Sequence, residues 1–390
     1  MSAPPAVLRG TPAFDSLLPL VRPRLPRLSE ISGDIANILE SGIVTKGSYL
    51  ARFEREVARL LRVDHAVAVS SATSGLMLAL QALAVQGEVV LPSFTFMASA
   101  SAVVWNGLTP VFADCSPQTW NLTAEAAEAA ITPHTTAIMA IHVFGSPADR
   151  AGLEALARRR GLALIFDAAH AFGSRCGGEP VGGGGDAEVF STTASKLVVT
   201  GEGGVVTSRR GDLAERIVIC REYGNAGEYD AAFAGINARL SELAALLGIA
   251  ALPGLEGDIE HRNALAKRYR AALAQLPGLA FQQVDPGCRS SYNYFAVLVG
   301  EEFGLSRGAL ARALEAENIE TRRYFDPPVH RQQAYRRYAS GLSLPATDRL
   351  SAQALVLPMY AALTVNDVDR TCDAIARIHH HRERVAAAVS

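Results

Sequence analysis

Glu188-Val-Phe-Ser-Thr-Thr-Ala-Ser-Lys196, with Thr200-Gly-Glu-Gly-Gly204 close behind, joins a short apolar strand to a lysine set among small residues. A lysine at a strand end with such neighbours is partly withdrawn from water, which weakens its hold on its proton. The free amine that results is the form that condenses with an aldehyde. Lys196 alone says little, because most lysines are solvated surface charges.

Upstream, the run Leu162-Ala-Leu-Ile-Phe166 delivers Asp167 to the carboxyl end of a second buried strand, where open α/β sheets place their ligands. The bland role for Asp167 is to cap a helix over Ala168 to Phe172. Further apolar runs at His65 to Val69, Glu88 to Leu91, Thr109 to Ala113 and Ala137 to Val143 alternate with helical segments. Among these are Leu50, Phe53, Val57, Leu60 and Leu61 on one face, and Asp149 to Arg160. The alternation predicts an α/β fold with a mainly parallel sheet covered by helices. After Gly248 the rhythm changes. Pro253 and Gly254 break the chain, and a long helix follows with Ile259, Leu265, Tyr269 and Leu273 along one stripe. The boundary is therefore set at 250, with a large α/β domain over 1–250, a smaller α+β domain over 251–390, and an N-terminal arm over 1–30 expected to pack on the small domain.

Ser70-Ser-Ala-Thr-Ser-Gly75, between a strand and the helical run Leu76 to Ala84, offers backbone N–H donors and small side chains to a phosphate. Pro92-Ser-Phe-Thr-Phe96 ends the next strand with an aromatic face that can stack on a flat ring. Gly182 to Gly185 lacks the Gly-Lys-Ser/Thr ending of a phosphate loop and reads as a flexible turn. His379-His-His381 sits on a charged terminal helix and reads as a solvated face, so no metal site is expected. With 37 basic and 39 acidic residues and a formal charge of −2, the chain has no broad field to attract nucleic acid or an anionic membrane. Cys115, Cys176, Cys220, Cys288 and Cys372 are scattered and without C-x-x-C spacing, which argues against disulfides and fits a reducing cytoplasm. No apolar run reaches membrane-spanning length, and 1–26 lacks the apolar core of a signal peptide.

Taken in order, these blocks resemble the DegT/DnrJ/EryC1/StrS sugar aminotransferases of pyridoxal-phosphate fold type I. The resemblance spans Gly42-Ile-Val-Thr-Lys-Gly47, Phe53-Glu54, Ser70 to Leu76, Pro92 to Ala98, Asp167-Ala-Ala-His170, Ser191 to Lys196, Gly201-Glu-Gly-Gly204, Gly235-Ile-Asn-Ala-Arg-Leu-Ser-Glu242, Tyr324 and Pro327-Pro-Val-His330. It implies pyridoxal 5′-phosphate bound to Lys196 as a Schiff base, with Asp167 at the pyridine nitrogen, His170 near the ring hydroxyl and Phe96 stacked on the ring. The phosphate would be held by the backbone of Ala72 and Thr73, by Ser191, and by Asn237 from a second subunit of a homodimer. Arg239, Tyr324 and His330 are implied as substrate contacts. Ala72 stands where the family usually has glycine, and His170 where it often has glutamine. The implied activity moves an amino group from an amino acid, glutamate by family habit, onto a keto-sugar. Leu18-Pro-Leu-Val-Arg-Pro23 and Thr321 to His330 look most like members acting on nucleotide-linked 4-keto-6-deoxyhexoses. Two alternatives stay open: an aminotransferase of a keto-cyclitol, and a non-catalytic protein that binds the cofactor on the same fold.

Overall fold

Strands that bury side chains on both faces read as continuous apolar runs and must be covered by helices on both sides. The computed structural model, which describes residues 3–227 and 229–389, arranges these runs in that way. Seven strands form one sheet: β1 (His65–Val69), β2 (Glu88–Pro92), β3 (Thr109–Ala113), β4 (Thr135–Ile141), β5 (Ala163–Asp167), β6 (Ala187–Ser191) and β7 (Gly204–Ser208). Their spatial order is β1-β7-β6-β5-β4-β2-β3. The pairs β2–β3, β2–β4, β4–β5 and β5–β6 are parallel, while β7 runs antiparallel to both β6 and β1. The reversed strand is reached through the lysine segment without a crossover helix, so the alternation of strands and helices does not announce it. Its start at Gly204 therefore lies beside the carboxyl ends of its neighbours.

Along β4, Ala137 and Met139 enter the core on one face, while Ile138 and Ala140 enter the core on the other. The helix Ala72–Ala82 covers the first face and starts inside the Ser/Thr cluster, four residues before the apolar run from Leu76. It lies tight on the sheet at Gly75, where a Cβ would come within 2.8 Å of Val189 Cγ1.

A second, antiparallel sheet has the order β8 (Leu279–Phe281), β9 (Phe295–Val299), β10 (Ala354–Leu357). Helices Leu255–Leu273, Arg307–Ala316 and Val365–His380 pack with it around Tyr269, Phe295, Phe303 and Ile375, and Phe14 and Leu18 from the N-terminal segment join the same cluster. Glu317, fully buried, ties that segment down: its carboxylate accepts from the N–H of Ala6 at 2.8 Å and of Ala13 at 2.6 Å, and pairs with Arg377 at 2.9 Å.

Two expectations are corrected. Gly182 to Gly185 do form a turn, but Gly182 to Gly184 are buried and held beside β6 and β7, and only Gly185 of the four is exposed. Thr207 Oγ1 donates to the Gly182 carbonyl at 2.6 Å, Arg150 donates to that of Gly183 at 2.8 Å, and Gly184 N–H donates to Glu188 at 2.6 Å. A Cβ at 183 or 184 would displace the end of the Arg209 or the Glu188 side chain. The expectation of no disulfide also fails: Cys176 and Cys288, 112 residues apart, are bonded across a two-residue antiparallel ladder. Partners so distant are chosen by the tertiary fold, and spacing carries no trace of them. Cys115, Cys220 and Cys372 are free and buried.

Candidate active site

The carboxyl ends of β1, β2, β4, β5 and β6 open onto one cavity of about 340 Å³, within the range of small-ligand sites. Lys196, Asp167, His170, Ala72, Thr73, Phe96, Ser191 and Tyr324 all line it, so the cluster proposed from separate blocks of sequence shares one space. A more open groove of about 650 Å³ beside Arg312, Arg322 and Arg323 lies elsewhere; there Arg322 is paired to Glu320 at 3.1 Å at the surface.

Lys196 follows a turn closed by its own N–H donating to the Thr193 carbonyl at 3.0 Å. The residue keeps an opening to the cavity, but its amine is enclosed, and burial lowers its pKa from 10.5 to about 8 against the opposing pull of Asp167. Among the described residues, its Nζ makes no hydrogen bond and no ion pair; the Tyr294 ring, centred 5.6 Å away, is its direct neighbour. Asp167 ends β5 and is followed by a turn rather than a helix. Its Oδ2 accepts from Ser99 Oγ at 2.7 Å and its Oδ1 from Ala169 N–H at 3.1 Å. Burial raises its pKa, and those two donors together with Lys196 and His142 oppose the rise. A cation brought to this carboxylate would remove the main cost of ionising it. Burial holds His170 well below its ordinary pKa, with Lys196 adding to the effect, so its imidazole is neutral near pH 7.

At the other end of the cavity the helix Ala72–Ala82 begins. Ser71, its N-cap, uses Oγ to accept from Ser74 N–H at 3.0 Å. The N–H groups of Ala72 and Thr73, in the first turn, have no intrahelical acceptor. Ala72 is helical and outside the left-handed region, so replacing the usual glycine imposes no backbone strain. Gly204 lets β7 approach this corner, since a Cβ there would sit 2.6 Å from the Ala72 nitrogen. Among the described residues, Ser191 Oγ has only long contacts to Thr193, at 3.4 and 3.5 Å. Phe96, at the N-cap of helix Met97–Trp105, is 48% exposed and turns its side chain to the cavity. An enclosed amine without a hydrogen-bond partner, a carboxylate short of a cation, unpaired N–H groups at a helix start and an open aromatic face fit an aromatic aldehyde carrying a phosphate.

Three expected site residues lie apart. His330 is 6% exposed and is not a cavity-lining residue. Its N–H donates to Ser93 Oγ at 2.9 Å, that hydroxyl shares a second hydrogen bond with His330 Nδ1 at 2.7 Å, and Nε2 lies 3.3 Å from Asp348 Oδ1. It thus ties the end of β2 to the turn Val329–Arg331. Asn237 is exposed, and Arg239 bonds to it at 3.2 Å and to Glu222 at 2.7 Å, beside a groove with Lys46, Tyr223 and Tyr229. Four cavity-side residues escaped the sequence reading: Ser99, Tyr294, Glu202 and Phe325. Glu202 and Phe325 had a signal, their places in Gly201-Glu-Gly-Gly204 and in Thr321 to His330; Tyr294 was masked by its position at the head of an apolar strand, and Ser99 carried no signal at all.

The model of the DegT/DnrJ/EryC1/StrS aminotransferase family matches residues 28–376. The dTDP-4-amino-4,6-dideoxy-D-glucose transaminase of Escherichia coli is 32% identical over 361 residues, 90% of this chain and 95% of that protein. The UDP-N-acetyl-3-dehydro-alpha-D-glucosamine 3-aminotransferase of Acidithiobacillus ferrooxidans is 35% identical over 358 residues, 91% of this chain and 95% of that one. Among solved structures, DesI in the presence of its TDP-sugar product superposes with a TM-score of 0.92 at 37% identity, covering 98% of each chain.

Proposed function

The chain belongs to the DegT/DnrJ/EryC1/StrS aminotransferase family, and from that premise we propose that it is a pyridoxal-phosphate-dependent transaminase that moves an amino group from an amino acid, glutamate in the first instance, onto a nucleotide-linked keto-sugar. The observation that carries the reading is the single cavity shared by the Lys196 amine and the Asp167 carboxylate, with the Ala72–Thr73 N–H groups at its far end. The relatives named for dTDP-, UDP- and TDP-linked sugars support the substrate class.

When bound, pyridoxal phosphate supplies an electron sink for the charge left as a proton departs from the amino-bearing carbon. Lys196, with a pKa near 8, holds a usable fraction of free amine at neutral pH to attach the aldehyde. The same amine would then serve as the base and acid that moves the proton of the donor's α-carbon. Asp167, fixed by Ser99 and Ala169, would face the pyridine nitrogen and keep it protonated. Neutral His170 would bond the ring hydroxyl, Phe96 would lie against the ring, and Ala72, Thr73 and Ser191 would hold the phosphate. On the same proposal the protein is a homodimer in which the exposed Asn237 reaches the neighbouring cavity and the half-buried Arg239 contacts substrate, and residues 1–250 and 251–390 are its two domains, the N-terminal segment lying on the second. Tyr324, at the cavity wall, would touch the sugar.

Adding glutamate to the purified, cofactor-loaded protein tests the reading: the visible absorbance of the aldehyde form should give way to the near-ultraviolet absorbance of the aminated form. Unchanged spectra with every amino donor tried would leave a non-catalytic binder. Thymidine diphosphate should inhibit competitively, whereas an enzyme for a keto-cyclitol would ignore it. We place the protein in the cytoplasm; no helix of the described residues is long and apolar enough to cross a membrane.

A further inference from the structure

Lys196 Nζ lies 5.6 Å from the centroid of the Tyr294 ring and has no other direct polar partner among the described residues. Three aromatic neighbours fix the plane of that ring. His170 meets it edge-on at 5.2 Å and 86°, Phe144 at 5.9 Å and 84°, and Tyr324 at 5.3 Å and 68°. Tyr294 is 5% exposed, and its hydroxyl lies against those of Ser195 and Tyr324. The turn that presents it is pinned from below by the buried Arg262, whose Nη1 donates to the carbonyls of Tyr292 at 3.0 Å and Met359 at 3.2 Å. The ring therefore cannot turn its face away from the amine without repacking the wall of the cavity.

We propose that Tyr294 is a positioning residue for the transamination: its ring face holds the Lys196 amine against the cavity wall and aims it at the aldehyde it must capture. The inference rests on the function proposed above. An aromatic face attracts an ammonium and accepts a weaker N–H···π contact from the free amine, so it restrains the side chain in both protonation states without the hydrogen bond that would occupy the nucleophilic lone pair. An aliphatic side chain of similar bulk would bury the amine equally well and attract it less. The other titratable and charged groups around the amine are Asp167 at the end of β5, His170 in the turn beyond it, Glu202 after the lysine segment and Tyr324 from the facing segment. Arg322 lies near the Tyr294 phenol, and His142 stands near Asp167. The phenol itself is pushed up to about 12, chiefly by burial, and stays neutral where the lysine titrates.

The test follows covalent capture of pyridoxal phosphate by the cofactor-free protein from pH 6 to 10 by absorbance, with borohydride reduction and mass spectrometry to locate the adduct. Tyr294→Phe keeps the face and should keep both the pH midpoint and the high-pH rate within about two-fold of wild type. Tyr294→Leu should lower the midpoint by roughly half a unit or more, as loss of a desolvated cation–π contact predicts, and slow the high-pH rate about ten-fold because the amine is no longer aimed. An unchanged midpoint and rate in Tyr294→Leu, or a raised midpoint, overturns the inference, and so does a Tyr294→Phe variant that behaves like an unrestrained amine. An adduct on wild-type protein that maps away from Lys196 instead overturns the functional proposal, which keeps the two failures distinct.

Discussion

Lys196 is a liability to the cofactor-free protein. Its folded pKa of about 8 lies below the ordinary 10.5, so between those values the unfolded chain binds the extra proton and stability rises with pH. Below pH 8 the cost stands in full. At about 1.4 kcal/mol per unit it is at most ~3.5 kcal/mol, reduced because the residue is only partly buried. Lys196→Met is therefore expected to abolish turnover and yet raise the urea midpoint of the cofactor-free protein at pH 7, with the gain shrinking toward pH 10; a destabilised variant would show that the amine is not the strained group. Asp167→Asn should bind cofactor weakly and slow proton transfer by orders of magnitude, measured by single-turnover kinetics with glutamate. Ser99→Ala removes one of the two donors to Asp167 seen here, and a smaller loss of cofactor affinity, worth about 1–3 kcal/mol for a charged acceptor, should appear in a fluorescence titration. Ser99 was invisible in the sequence because a serine within a small-residue helix has no pattern; its role exists only once β5 brings Asp167 alongside.

At the scale of elements, the helix Ala72–Ala82 places the proposed phosphate site, and two glycines set its seat. Gly75 brings its flank against Val189 and Val206, and Gly204 brings β7 up to its first nitrogen. Gly75→Val should cost about 1–3 kcal/mol through overpacking, and by lifting the helix it should weaken pyridoxal phosphate binding more than it weakens pyridoxal binding. Equal losses for the two ligands would mean that the helix start does not hold the phosphate. The segment Ser70 to Gly75 was legible as a strand-to-helix turn that could take an anion, but the helix begins earlier than the apolar run predicts. The Ser71 cap, bonded to Ser74, decides the first turn, and apolar periodicity does not register a first turn made of Ala, Thr, Ser and Gly.

At the scale of the molecule, subunit sharing predicts complementation: inactive Lys196→Ala mixed with inactive Asn237→Asp, then refolded together, should recover activity that neither shows alone, because a mixed dimer holds one intact cavity. No recovery would confine the site to one chain. The Cys176–Cys288 bond gives a second whole-molecule test, since thiols stay reduced in the cytoplasm. Alkylation on lysis, counted under denaturing conditions, should label Cys176 and Cys288 in cells, and protection of that pair would move the protein to an oxidising compartment. Sequence by itself determined the α/β class and, at the carboxyl end of the sheet, the amine and the carboxylate that share one cavity, because strand-end position and apolar period are local properties that survive without coordinates. The Tyr294 face on Lys196, the Ser99 donor, the Cys176–Cys288 pair and the withdrawal of His330 into a knot with Ser93 and Asp348 were decided only by the tertiary structure. Each joins segments far apart in the chain, and which of them meet depends on how the two sheets pack, a long-range outcome that no local pattern encodes.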